Sequence, residues 1–224
     1  LTNGNVHGII VLNVYNERLL RLLAETQIPK VFLDTSSLVA PDELNGDLLL
    51  MESRTSVRRI TCHLLEQGRT LPGFIGDISY AQSNRERYEG FCQALADAGK
   101  KVDSSLCLTT PLGIDTYREE IDTFLSSLSR MPDAFVCASD YVACILMQLL
   151  EKRGLRVPED VAVSGFDNNT EDLLAEHLTT VQVFNEELGA RLALQILYRI
   201  KYPNTPHEIT YLGTNVLYRD STGD

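Results

Sequence analysis

The sequence predicts an α/β fold, because short apolar runs suited to buried strands alternate with segments whose apolar residues recur at helical spacing. Such alternation is typical of βαβ units, in which parallel strands form a sheet and helices cover both of its faces. The strand-like runs are GIIVL at 8–12, KVFL at 30–33, GFIG at 73–76, SLCL at 105–108, AFVCA at 134–138 and VAVSGF at 161–166.

Five helices are expected between or after these runs, each marked by a stripe of apolar residues three or four positions apart. Gly68, Gly99 and Gly154 each follow one stripe, and glycine favours the left-handed conformation in which many helices end. The stripes contain Val57, Ile60 and Leu64; Tyr88, Phe91, Leu95 and Ala98; Tyr117, Ile121, Phe124 and Leu128; Val142, Ile145 and Leu149; and Leu188, Leu192, Ile196 and Ile200.

Composition and charge exclude several classes of function. The 224 residues carry 20 basic and 31 acidic side chains, a net charge of −11, which argues against this chain binding phosphate backbones by itself. No apolar run approaches the ~18 residues that span a membrane. The five cysteines lack CxxC spacing and the four histidines lack metal-ligand spacing, so we expect a reducing compartment, no metal and no cofactor.

Polar residues follow the predicted strands, and parallel strands in an open α/β sheet end together at the edge where ligands bind. Asp34 follows KVFL, Ser139 follows AFVCA, Asp167 follows VAVSGF, and Ser83 and Arg87 lie in the segment after GFIG. Carboxylates that accept from adjacent hydroxyls, together with a guanidinium that donates two hydrogen bonds, suit a neutral polyol. A binding site is therefore expected at this edge.

Simpler interpretations exist for the same residues. Asp140 directly precedes a helical stripe and would be explained as its N-cap. Hydrogen bonds within a turn would account for Asp34 and Asp167, and Arg87 would then be a solvated helix residue. Catalysis is not expected, because the GxSxG, Walker A and HExxH patterns are absent and Ser139 has no histidine near it in the sequence.

An ordered series of motifs carries a family resemblance over essentially the whole chain. The segment PDAFVCASDYVACILMQLLEKRGLRVPEDVAVSGFDNNTEDLLAEHLTTVQVFNEELG at 132–189 contains P-D-A, G-x-x-V-P-x-D-V, G-F-D and L-T-T-V. Further matches are IPKVFLD at 28–34, RYEGFCQAL at 87–95 and VLYRDST at 216–222. In this series the chain resembles the lactose/galactose-repressor (LacI/GalR) family of bacterial transcription regulators.

The resemblance implies a periplasmic-binding-protein-like fold of type I, with two doubly wound parallel-sheet subdomains that clamp a small effector. We expect residues 1–52 and 183–210 to form the N-terminal subdomain, and 53–182 and 211–224 to form the C-terminal one. Relatives have a β-α-β-α stretch before the strand that matches GIIVL. The N-terminal part of the first subdomain is therefore expected to be missing, and the natural polypeptide to extend upstream.

The resemblance also implies which positions contact the effector. Two of them depart from the family pattern, since Ser139 stands where relatives typically have Asn, and Val183 stands where many have Gln. Those departures predict a pocket with fewer amide contacts than usual. The expected effector-binding residues are Asp34, Ser83, Arg87, Ser139, Asp167 and Asn185.

By resemblance, the chain is the effector-sensing and dimerising domain of a cytoplasmic regulator, usually a repressor. Operator DNA would be bound by a homodimer through an N-terminal helix-turn-helix that is absent here, and residues 53–67 and the segment from Ser79 are candidate dimer surfaces. The commonest effectors are sugars, although purines and sugar phosphates occur. The alternative is a periplasmic sugar-binding protein of a transporter, against which the ending VLYRDST and the unpaired cysteine pattern argue.

Overall fold

The computed structural model describes residues 6–113, 115–169 and 176–223. Contacts divide the chain into two compact units, each assembled from three stretches of sequence. The first unit comprises Leu1–Glu52, Ser79–Ser83 and Phe184–Gly213, and the second comprises Ser53–Ile78, Asn84–Val183 and Thr214–Asp224.

Strands and helices alternate along most of the described chain. The strands are β1 (Ile9–Leu12), β2 (Lys30–Leu33), β3 (Asp47–Met51), β4 (Pro72–Ile75), β5 (Cys107–Leu108), β6 (Ala134–Cys137), β7 (Ala162–Ser164), β8 (Thr180–Gln182), β9 (Ile209–Leu212) and β10 (Asn215–Leu217). The helices are α1 (Glu17–Ala24), α2 (Arg54–Glu66), α3 (Gln82–Asp97), α4 (Tyr117–Ser127), α5 (Asp140–Lys152) and α6 (Asn185–Lys201). None of the helices described is both long enough and apolar enough to cross a bilayer.

The first unit is built on a four-stranded parallel sheet with the order β1-β2-β3-β9. Successive side chains of a strand point to opposite faces, so the apolar strands supply two cores. On one face Phe32 and Leu48 pack with Leu20 of α1. On the other face Val31 and Leu49 pack with α6. Helices thus cover both faces of this sheet, as the sequence predicts.

A buried ion pair joins β3 to α6 within the first unit. Arg199 donates from Nη2 to Asp47 Oδ1 at 2.5 Å and from Nε to Asp47 Oδ2 at 3.0 Å, and Gln195 donates to Oδ2 at 2.9 Å. Burial by itself would raise the pKa of Asp47, but the hydrogen bonds from Arg199 and Gln195 outweigh it and hold the pKa below its usual value. The bidentate geometry satisfies both charges away from water.

The second unit contains a four-stranded parallel sheet with the order β5-β4-β6-β7, and an antiparallel pair, β8 with β10. Its largest core lies between the sheet and helices α4 and α5. Phe135 and Val163 of the sheet pack there with Ile121 of α4 and Leu146 of α5. The α/β class with two parallel sheets is confirmed.

Several boundaries differ from the sequence-based expectations. The segment 105–108 is only partly a strand, because a short 3-10 turn occupies Ser104–Leu106 before β5 begins. The stretch VQVFN at 181–185, expected as a break, contributes to β8 and to the start of α6. β3, β9, β10 and α1 were not anticipated, since β3 directly follows a polar loop and β9 and β10 are half-exposed edge elements without a continuous apolar run.

Candidate functional site

The first unit brings three polar side chains together where β1 and β2 end. Asp34 follows β2 and is 3% exposed. Its carboxylate accepts hydrogen bonds from the Ser83 hydroxyl at 2.6 Å, the Thr35 amide at 2.8 Å and the Ser83 amide at 3.3 Å. The Tyr15 hydroxyl donates to the same carboxylate at 3.4 Å. Asp34 and Ser83, both expected at the site, are therefore direct partners.

The backbone around Asp34 has an unusual conformation. Asp34 has a φ of 59°, in the left-handed region that aspartate tolerates better than most residues. The next residue, Thr35, is fully buried, and its Oγ1 has no hydrogen-bond partner among the residues that the structure describes. The Tyr15 ring packs against the Tyr80 ring in a tilted arrangement, with centroids 4.4 Å apart. Tyr15 and Thr35 were missed from the sequence, although both lie just beyond predicted strands.

The second unit carries Arg87 on α3, 4% exposed and oriented by its neighbours. Nη1 donates to the carbonyl oxygen of Ala138, directly after β6. The guanidinium carbon lies 3.7 Å from the centroid of the Phe166 ring, a cation–π contact. Nη2 lies 3.5 Å from Asp167 Oδ1. Nε is buried and has no hydrogen-bond partner within the described part of the chain.

Asp167 lies beyond β7 and faces Arg87. Its backbone φ is 111°, and its amide donates to the Val181 carbonyl at 3.1 Å. Burial by the surrounding chain raises the pKa of Asp167, and the charge of Arg87 opposes that rise. The side chain nevertheless remains 43% exposed, so the carboxylate keeps access to solvent and to a solute. Within residues 6–113, 115–169 and 176–223, its recorded side-chain partner is Arg87.

Ser139, not Asp140, is the N-cap of α5, and the N-cap explanation of Asp140 is wrong. The Ser139 hydroxyl accepts from the Val142 amide at 3.3 Å. Asp140 is the first residue of the helix and is 2% exposed. Its Oδ1 accepts from the Thr180 hydroxyl at 2.6 Å, and its Oδ2 accepts from the Asn169 amide at 2.8 Å. Burial raises its pKa to about 6.

A polar network fixes the segment that follows Asp167. Asn168, with a φ of 51°, donates from Nδ2 to Gln182 Oε1 at 2.5 Å. Arg219 donates to Asn168 Oδ1 at 2.8 Å, and the Asn168 amide donates to the Thr180 hydroxyl at 3.2 Å. Asn168 therefore holds the loop to β8 and to the segment after β10, which agrees with its interpretation as a loop residue.

The remaining predicted positions lie at the end of β8 and the start of α6. Val183 is buried at 4% exposure in the second unit. Asn185 is the first residue of α6 in the first unit and is exposed. The contacts described above are hydrogen bonds between Asp34 and Ser83 and an ion pair between Arg87 and Asp167, and none of them includes Asn185.

The chemistry of these two edges is that of hydrogen bonding. The first edge offers a carboxylate, hydroxyls and a tyrosine pair, and the second offers a guanidinium, a carboxylate and a capping hydroxyl. Among the described residues, no group of three or more His, Cys, Asp or Glu side chains is arranged to hold a metal ion. Phe166 and the Ala138 carbonyl, which orient Arg87, were not singled out from the sequence.

Comparison with known proteins identifies the family. The model of the periplasmic binding protein-like domain matches residues 61–222. The repressor PurR of Aliivibrio fischeri is 29% identical over 225 residues, covering 99% of this chain and 66% of that protein. The regulator DegA of Bacillus subtilis is 31% identical over 170 residues, covering 75% of this chain and 48% of that protein.

Among solved structures, the complex of the transcriptional regulator CelR with cellobiose has a TM-score of 0.85 at 27% identity. The structural match covers 98% of this chain and 67% of the CelR chain. The present chain spans between about three fifths and two thirds of the length of the first curated relatives it matches. Taken with its two parallel-sheet units, the chain belongs to the periplasmic-binding-protein-like domain family and is an effector-binding domain of the LacI/GalR type.

Proposed function

We propose that this chain senses a small hydroxyl-rich effector, a sugar, and controls operator binding by a LacI-type repressor. The proposed effector-binding residues are Asp34, Ser83, Arg87, Ser139, Asp167 and Asn185. A solved relative, CelR, is named as a complex with cellobiose, which supports a saccharide as the class of ligand.

The observation that carries the proposal is the state of Arg87. Its guanidinium is held on three sides by the Ala138 carbonyl, the Phe166 ring and Asp167, yet its buried Nε has no partner among the described residues. A buried donor without an acceptor costs about 1–3 kcal/mol, so an orienting frame of this kind favours an acceptor supplied by a ligand. A sugar hydroxyl can accept from Arg87 and donate to Asp167 at the same time.

The net charge of the described edges favours a neutral ligand. Asp167 already balances Arg87, and Asp34 adds a further carboxylate in the first unit. A phosphorylated effector would need additional cations, because the Arg87 guanidinium is already paired with Asp167 and the carboxylates repel a dianionic group.

A thermal-shift screen of cellobiose and other mono- and disaccharides would identify the effector, since a ligand that binds the folded state raises its midpoint. Isothermal titration with the best sugar then compares the natural chain with Arg87→Ala. We expect Arg87→Ala to weaken binding by about a hundredfold, as the loss of a charge-assisted pair of contacts does. Arg156→Ala is the matched control, because Arg156 is an exposed arginine paired with Asp160. Equal affinity in both variants would remove Arg87 from the site.

The remaining parts of the proposal rest on the relatives, which are named as helix-turn-helix repressors or regulators. We propose that the full protein is cytoplasmic, forms a homodimer and has no enzymatic activity. We also propose that it binds operator DNA through a helix-turn-helix. Footprinting of the full-length protein on its own upstream DNA, with and without the sugar, tests operator binding and its control by the effector. Binding that the sugar does not alter would contradict the proposal, and a protein exported to the periplasm would favour a transporter component.

A further inference from the structure

Asp140 is an ionisable group that the proposed contacts do not use, although it lies next to them. It is buried at the start of α5 with 2% exposure. Its two carboxylate oxygens accept from Thr180 and from the amide of Asn169, and its own amide donates to the carbonyl of Phe166 at 2.8 Å. Asp140 is thus bonded to the chain on both sides of Asp167.

The loop before Asp167 passes directly against this carboxylate. A Cβ added at Gly165 would lie 2.2 Å from Asp140 Oδ1 and 3.0 Å from Asp140 Cα, closer than side chains approach one another. Asp167 and Asn168 then adopt φ values of 111° and 51°, a conformation that costs free energy unless surrounding contacts maintain it. Close packing against Gly165 and hydrogen bonds with Phe166 and Asn169 let Asp140 help to maintain it, beside the contacts of Asn168.

We infer that Asp140 is a positioning residue, which holds the loop from Phe166 to Asn169 and thereby aims the carboxylate of Asp167 at the effector. This inference rests on the proposed role of Asp167 as an effector contact. Asp140 itself would not touch the effector and would act through Asp167. Both carboxylate oxygens of Asp140 are engaged, one by the Thr180 hydroxyl and the other by the Asn169 amide.

The surroundings of Asp140 shift its titration towards neutrality. Burial raises the pKa of Asp140 to about 6, the hydrogen bonds from Thr180 and Asn169 lower it, Asp167 raises it and Arg219 lowers it. The carboxylate in turn contributes to raising the pKa of the buried Cys137 thiol, after the larger effect of burial. Because burial beneath the held loop raises the pKa of Asp140, a proton on this carboxylate below about pH 6 favours the held loop over an open one in which Asp140 is solvated.

Hydrogen exchange at the Asn169 amide tests the holding role without any ligand. We expect Asp140→Ala to lower its protection about tenfold at pH 7.5, as the loss of a hydrogen bond to a charged group does. The natural chain should keep its protection between pH 7.5 and 5.0 after correction for intrinsic rates, because protonation favours the buried state of Asp140. Thr180→Val, which removes one donor to Asp140, should lose an intermediate factor.

Asp133 is the matched control. It lies just before β6, whereas Asp140 lies just after it. Its carboxylate accepts from the amides of Thr70 and Leu71 at 2.6 and 2.9 Å. Asp133→Asn should lower the thermal midpoint but leave Asn169 protection and effector affinity unchanged. The inference would be overturned if the Asn169 amide were as well protected from hydrogen exchange in both Asp140→Ala and Thr180→Val as in the natural chain.

Titration with the sugar selected by the thermal-shift screen completes the test. Asp140→Ala should weaken its binding about tenfold. Lost protection with unchanged affinity would overturn the positioning role. If no sugar binds the natural chain, the proposed effector fails, while the exchange experiment still decides whether Asp140 holds the loop.

Discussion

Asp34 in the first unit and Asp167 in the second follow buried strands of parallel sheets, and both have positive φ angles of 59° and 111°. Their surroundings differ. Asp34 is 3% exposed and accepts three hydrogen bonds at 3.3 Å or less. Asp167 is 43% exposed on its side chain and faces a single arginine at 3.5 Å. The same local pattern therefore gives one carboxylate that is saturated by the fold and one that retains unused acceptors.

This difference in exposure and hydrogen bonding indicates different roles for Asp34 and Asp167. A saturated buried carboxylate contributes to stability, and a ligand gains from it only by displacing an internal donor such as the Ser83 hydroxyl. A half-exposed carboxylate contributes little to stability and has acceptors available. The effector contact proposed for Asp34 is therefore the weaker of the two, and the one proposed for Asp167 is the stronger.

The largest expected effect separates the two acids by stability. Asp34→Ala leaves the Thr35 and Ser83 amides and the Ser83 hydroxyl without their acceptor, and buried donors of this kind cost about 1–3 kcal/mol each when unsatisfied. Because the hydroxyl can rotate to a new partner, we expect a loss of about 3 kcal/mol in the free energy of unfolding. Urea denaturation measures it, and Ser83→Ala, which removes only the hydroxyl, should cost about 1 kcal/mol. If Asp34→Ala lowered the free energy of unfolding by less than Ser83→Ala does, Asp34 would not be the acceptor for all three donors.

An intermediate effect is expected from pH, through Asp140. Its pKa of about 6 in the folded state lies above the usual 3.8, so its contribution to stability is largest at low pH and is lost as the pH rises through 6. Between pH 5 and pH 7 this group should lower the free energy of unfolding by about 1 kcal/mol. Urea denaturation of the natural chain and of Asp140→Asn at both pH values isolates the contribution of Asp140 to the free energy of unfolding. Identical pH dependence in the two proteins would show that Asp140 is not the group responsible.

The smallest expected effect on stability belongs to Asp167. Asp167→Ala removes a half-exposed carboxylate and one long ion pair with Arg87, whose guanidinium keeps its contacts with the Ala138 carbonyl and the Phe166 ring. Ion pairs that reach solvent contribute about 0–1 kcal/mol. We expect a change below about 0.5 kcal/mol in the free energy of unfolding, together with effector binding weakened tenfold or more. Calorimetric unfolding and titration of the same sample measure both. A large loss of stability would place Asp167 with Asp34 and remove the contrast between them.

Much of the fold could be predicted because apolar periodicity is a local signal. The runs at 30–33 and 134–138 became β2 and β6, and the five apolar stripes became helices α2 to α6. Weaker signals failed: β3 directly follows a polar loop, and β9 alternates exposed and half-exposed residues along an edge. Asp140 was misassigned because a position before a helical stripe indicates a cap, whereas the actual cap, Ser139, precedes it by one residue.

The sequence by itself determined the α/β class, the strand ends at which polar residues collect, and, through its ordered motifs, the family. Those features depend on the order of residues along the chain. Only the tertiary structure decided which polar residues meet: Ser83 saturates Asp34, Phe166 and Ala138 orient Arg87, and Thr180 with Asn169 fixes Asp140. Contacts between residues far apart in the chain depend on how strands are ordered in the sheet, and hydrogen-bond saturation and burial follow from that order.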